Sequence, residues 1–201
     1  MSIMLHALPR TTTYTARKQS FGNDLTPVLG GPTMRITRLG TRWAFDVSIP
    51  ALAAAACGAS LTMDLERGET EAVVMVIPEP GTERASFGAN VRVNGAGQLG
   101  MTLNVDGLPA NKAVPKGKWL SIIIGGQRFA YRTTAAVVAN ASGSVALPIF
   151  PMLRRQPVND DVVELAEPKI EGFVAMDIEH SLRSIGSTGA VGIDFTISER
   201  E

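Results

Sequence analysis

Cysteine is almost absent: Cys57 is the only one in 201 residues. No disulfide can form within the chain, and the paired-cysteine spacings of zinc fingers do not occur. Histidine is nearly as scarce. His6 and His180 have no second histidine or cysteine at ligand spacing, so no metal ion and no cofactor is expected. Aromatic residues make up 5% of the chain, and a core must lean on Val, Ile, Leu, Ala and Met. Neither sign of charge is in surplus, because nineteen basic and nineteen acidic residues cancel. A protein that coats nucleic acid normally carries a basic excess. Neutrality also removes the long-range repulsion that holds copies of a chain apart. No apolar run approaches the roughly 20 residues of a membrane helix. The opening MSIMLHALPRTTTYTARK lacks the charged and apolar regions of a secretory signal. A soluble product made in the cytoplasm is the expectation.

Catalytic signatures are missing as well. Ser121, His180 and Asp161 supply the residue types of a hydrolytic triad, but no nucleophile-elbow motif surrounds the serine. Asp160-Asp161 and Glu69/Glu71 read as solvated acid pairs. GANVRVNGAG and GSTGAVG match neither a phosphate loop nor a dinucleotide fingerprint and read as turns. Cys57, inside an alanine-rich run, reads as a small buried thiol. An enzyme is not expected.

What the chain does have is strand pattern, and its 45% apolar share suffices for a sizeable core. Trp43, Phe45, Val47 and Ile49 alternate with Arg42, Ala44, Asp46 and Ser48, a period of two with one buried face. Pro50 then opens an alanine-rich stretch that stops at Gly68 and predicts a helix over 51–67. Glu71 to Ile77 reads as a central strand. From Ser86 the composition shifts to Gly, Asn and Val, with Asn94-Gly95 as a hairpin turn between 89–93 and 98–105. Phe173–His180 and Ala190–Ile197 read as closing strands. The pattern predicts a mainly β chain: a β-sandwich with one α-helix from residues 1–85 and 168–201, carrying an inserted, small β-barrel-like module at 86–167. Met1 to Gly31 is polar and turn-rich, with a short strand near Ile3–Ala7. It reads as an arm, unfolded on a monomer from Thr11 to Gly31, that orders against a neighbour.

The most informative stretch is KGKWLSIIIGGQRFAYRTTAAVVANASGSVALPIFPMLRR, Lys116 to Arg155. It reads as Trp119–Ile124, a turn at Gly125-Gly126, Arg128–Val138, a turn at Asn140–Gly143, Val145–Ile149, and a proline-flanked exit bearing two arginines. This order resembles a β-module of tailed-bacteriophage tail-tip proteins. GTRWAFDVSIPALAAAACGASLTMDLERGETEAVVMVIPEPG is similar to a second tail-protein pattern, marked here by Arg42, Trp43, Pro50, Leu52 and Leu65. Together the likeness runs from about Gly40 to Arg155 and points to the distal tail proteins of siphophages, or a related minor tail or baseplate protein.

The resemblance implies a virion structural protein assembled as a six-membered ring at the tail tip. Such a ring joins the tail tube protein to the baseplate hub protein and leaves a lumen through which DNA passes unbound. Many relatives carry a further carbohydrate-binding-like domain, for which this sequence has no room. Interface candidates are the guanidiniums of Arg154 and Arg155, suited to bidentate pairing with a neighbour's carboxylates, and Tyr14, Arg17 and Lys18 of the arm. Two other readings compete, one from a different class and one from the same class. A carbohydrate-binding β-sandwich would need exposed aromatics, and only Trp43, Trp119, Tyr14 and Tyr131 offer rings with a polar handle. A tail tube subunit would be a simpler sandwich without the inserted module.

Overall fold

The alternation around Trp43 is realised as predicted: Trp43, Phe45, Val47 and Ile49 are buried side by side on one strand. A computed structural model of the chain describes residues 2–5, 8–36, 40–52, 59–81, 84–176 and 191–200. In chain order the strands are β1 (Ile3–Met4), β2 (Thr13–Gln19), β3 (Asn23–Leu25), β4 (Met34–Ile36), β5 (Arg42–Leu52) and β6 (Val73–Val76). After these come β7 (Arg92–Val93), β8 (Thr102–Asp106), β9 (Ala113–Val114), β10 (Trp119–Ile124) and β11 (Gln127–Thr133). The last are β12 (Val137–Val138), β13 (Val145–Phe150), β14 (Val163–Glu164), β15 (Lys169–Met176) and β16 (Val191–Glu199). The helix α1 (Ala59–Arg67) lies between β5 and β6. The chain is thus mainly β with one α-helix among the described residues.

Two six-stranded sheets dominate. The first has the order β1-β6-β15-β16-β5-β2, with β1 parallel to β6 and every other pair antiparallel. The second has the order β14-β10-β11-β13-β8-β7 and takes all its strands from between Arg92 and Glu164. It curls around its own core of Leu103, Val105, Leu120, Ile122, Phe129 and Tyr131, among others. Its end strands meet at a single bridge, Arg92 to Val162, with main-chain hydrogen bonds from Val93 to Asp161 and from Val163 to Val91. It is therefore curled but not a closed barrel. The first sheet's core joins Phe45, Ile49, Met75 and Ile197 to Leu61 and Leu65 of α1. Trp119 and Ala130, on the outer face of the second sheet, complete it. Trp119 lies edge-on to Trp43, with ring centroids 4.8 Å apart. That contact makes the two layers one packed unit.

Four expectations need correction. The single strand expected over Arg128–Val138 is two, with β11 ending at Thr133 and β12 pairing with β9. The helix predicted over 51–67 is described over Ala59–Arg67, and 51–52 belong instead to β5, which continues through Pro50 to Leu52; residues 53–58, with Cys57, lie outside the described residues. Pro50 has no N–H for a ladder. The register between β5 and β16 slips here, from Ile49 opposite Ile193 to Leu52 opposite Val191, and this bulge accommodates the proline. The hairpin expected at Asn94-Gly95 is a longer loop. A two-residue type I′ turn needs positive φ at both positions, and only Gly95 has it, at 96°. Gln98 organises the loop: its Nε2 donates to the carbonyls of Asn94, Gly95 and Asn104, and its Oε1 accepts from Asn104 N.

The arm is the fourth. Thr13–Gln19 is not left unfolded; β2 pairs along its whole length with β5, from Thr13–Ser48 to Gln19–Arg42. An edge strand with one open face needs little apolar content, so its polar composition resembled a loose leader. Only the following hairpin, β3–β4, stands clear, paired with nothing but itself. The turn at Gly125-Gly126 closes as expected, with φ of 59° and 80°.

Candidate assembly surfaces

The joint between the sheets is built from glutamates. β13 pairs with β11 only at Arg132–Phe150 and Thr133–Ile149, and the chain then turns away at Pro151. The N–H groups of Arg128 and Ala130 face the side β13 has left. Buried N–H groups need acceptors, and carboxylates of the first sheet supply them. Glu171 Oε2 accepts from Arg128 N at 3.1 Å, and Glu199 Oε1 accepts from Ala130 N at 2.6 Å. Glu199 Oε2 also accepts from Trp43 N at 3.2 Å. Glu79, just past β6, accepts from Trp119 N at 2.7 Å and pairs with Lys118. Side-chain carboxylates thus stand where a seventh strand would run.

Each carboxylate is matched by a cation. Arg154 donates to Glu199, and its guanidinium stacks over Phe129 and Tyr131, 5.1 and 5.5 Å from the ring centroids. Arg200 pairs with Glu171 at 2.6 Å. Arg128 and Lys169 both hold Glu164, at 3.1 and 2.9 Å. Burial pushes the Glu199 carboxyl above its ordinary value despite the guanidinium and the two backbone donors. For Glu164 burial acts the same way, but the hydrogen bonds from Lys169, Ser121 and Arg128 outweigh it and the carboxyl lies below its ordinary value.

This arrangement settles where the predicted interface residues stand. A carboxylate does face the Arg154 guanidinium, as the fork argument requires, but it is Glu199 of the same chain, and Arg154 is internal. Arg155 is exposed, its guanidinium 5.7 Å from the Phe129 centroid. Tyr14, Arg17 and Lys18 lie together on edge strand β2. Tyr14 is half-buried, and burial raises its hydroxyl above the usual range. Arg17 is exposed and pairs with Asp46 at 3.1 Å, and Lys18 lies 5.7 Å from the Phe150 centroid.

Ser121, Asp161 and Glu71 each have a partner within the chain. Ser121 Oγ donates to Glu164 and accepts from Lys169 N. Asp161 accepts from Val158 N in a turn, and Glu71 pairs with Arg67. His6 and His180 lie outside the described residues. Among the described residues no cluster of three His, Cys, Asp or Glu could hold a metal ion. No described helix is long and apolar enough to cross a membrane.

Two surface features escaped the sequence reading. The β3–β4 hairpin ends in Pro27-Val28-Leu29-Gly30-Gly31, where Val28 is 100% and Leu29 99% exposed, and Leu25 and Met34 flank them in the open. An apolar groove of about 540 Å³ runs between the crossover after β1 and strand β6. Met4, Leu8, Tyr14, Met75 and Pro78 line it, with Arg10, Glu167 and Lys169 also at it. The only sequence signal of the hairpin was two aliphatics in a charge-free run bounded by prolines and glycines. No family model matches the chain, and no curated protein matches it in sequence.

Proposed function

We propose that the protein is a structural subunit of a bacteriophage tail tip. In this reading copies form a ring that joins the tail tube to the baseplate hub and leaves a channel for DNA. The support is the likeness of residues 40–155 to tail-tip proteins, together with a β-rich fold of matching type. The observation that carries the reading is how the surface is divided. Arg154, Arg128, Lys118 and Lys169 are all paired within the chain, while aliphatic side chains of the β3–β4 hairpin stand fully in solvent. A subunit complete on its own has no use for the second feature. The seven-residue edge strand β2 adds an unpaired ladder rim beside it. A near-neutral chain suits a conduit that must not grip DNA.

The carbohydrate-binding alternative is the weaker one on this surface. Trp43, Trp119 and Tyr131 are buried, and Tyr14 is half-buried, so none offers an open face for stacking on a sugar ring. The mass of the purified protein in solution, alone and mixed with tail tube and hub proteins, tests the proposal. A closed oligomer in either condition is the expected result. A chain that stays monomeric in both rejects it.

A further inference from the structure

The exposed hairpin tip and the apolar groove belong to one chain yet do not meet within it. Val28 and Leu29 stand in solvent, 100% and 99% exposed. The groove, about 540 Å³, falls in the 300–1,000 Å³ range of sites that enclose a ligand. Charge is distributed in the same way on both. Between Asp24 and Arg35 the hairpin carries no charged residue, and these two face each other at its base, 3.3 Å apart. The groove has an apolar floor, with Arg10, Lys169 and Glu167 as its only charges among the described residues. An uncharged tip seated on that floor would bring a base holding one charge of each sign up to groove charges of both signs.

We infer that the β3–β4 hairpin of one copy docks, through Val28 and Leu29, into the Met4–Leu8–Met75–Pro78 groove of the next copy. This rests on the ring reading and supplies its contact. Because finger and groove are different surfaces, the interaction is head-to-tail, and each copy gives one finger and receives another. A tip alone buries less than the roughly 800 Å² per partner of a stable complex. Closing the ring compensates, since every subunit is then held on two sides. Formal charge adds no opposition, because each copy is neutral overall.

The test uses the full chain in a Cys57→Ser background, which leaves no other thiol. Leu29→Cys and Met4→Cys proteins are purified separately, mixed, oxidised, and the linked peptides identified by mass. A disulfide between positions 29 and 4 that forms in the mixture and in neither protein alone is the expected result. In parallel, the Val28→Asp/Leu29→Asp variant should keep the wild-type melting temperature while its self-association weakens about tenfold or more. No 29–4 link, with oligomers retained in the aspartate variant, overturns the finger contact and leaves the ring standing. Linkage of Leu29→Cys to itself means tip-to-tip packing and also overturns it. So does an aspartate variant impaired only in joining the tube or hub protein, because the finger's partner is then another chain. A wild-type protein monomeric under all conditions removes the ring reading and the contact together.

Discussion

The joint between the two sheets and the β3–β4 finger solve opposite problems. The joint brings charge into the interior and matches each carboxylate with a cation and with backbone or hydroxyl donors. The finger leaves aliphatic carbon in water and matches it with nothing nearby. Buried charge stays only where it is paired, and the joint's charges are paired within one chain, although Arg154 Nε and Nη1 and Arg200 Nε make no hydrogen bond among the described residues. Exposed aliphatics cost little where they stand singly, but a projecting group of them marks a contact surface. In the proposed ring, the difference separates what holds this molecule together from what it offers to others.

That contrast can be broken most directly at Arg154. Arg154→Ala leaves the buried Glu199 carboxyl with no cation, and unfolding in urea should show a loss of about 3–5 kcal/mol. A loss below about 1 kcal/mol would mean that the joint is looser than its geometry. Gly68→Ala tests the seat of α1. An added Cβ would lie 2.7 Å from Val73 Cγ2 and 2.8 Å from Val174 Cγ2. Overpacking of this kind costs about 1–3 kcal/mol, read from the same transition.

Acid sharpens the picture at Glu164. Its carboxyl is depressed below the ordinary 4.5 in the folded state, so its contribution is full above that value and is lost as pH falls through the folded pKa. Glu199 is raised, and its linkage runs the other way. Stability measured from pH 7 to pH 3 should therefore fall less steeply in Glu164→Gln than in the wild type. Equal slopes would assign the acid limb to other groups. The smallest effect belongs to the finger: Leu29→Ser should change the unfolding free energy by no more than about 0.5 kcal/mol. A larger change would show that the tip packs on its own chain.

Local pattern carried much of this fold in legible form. The period-two run at 42–49 and the apolar runs at 71–77 and 119–124 mark real strands, and Gly125-Gly126 marks a real turn, because backbone preference and side-chain pattern act over a few residues. The bulge at Pro50 was not legible, since it depends on β16, far along the chain. The joint was hidden for the same reason. Glu171 and Glu199 looked like polar positions on half-exposed strands, and nothing near them announces that Arg128 and Ala130 lack strand partners. Arg154 was recognised as a guanidinium awaiting a carboxylate, but a single sequence does not say whose. The arm misled in the opposite sense: Thr13–Gln19 is polar enough to be loose, yet β5 offers it a ladder of seven paired positions.

No strand pairing runs from one sheet to the other among the described residues. The border between them is written in side chains alone: a tryptophan contact and a few acids capping amides. A ladder demands continuous register, whereas such a border asks only that a handful of positions agree. Residues 86–167 could therefore be exchanged for another module that offers three free amides and an arginine at the places of Trp119, Arg128, Ala130 and Arg154, without redrawing the sheet that carries it.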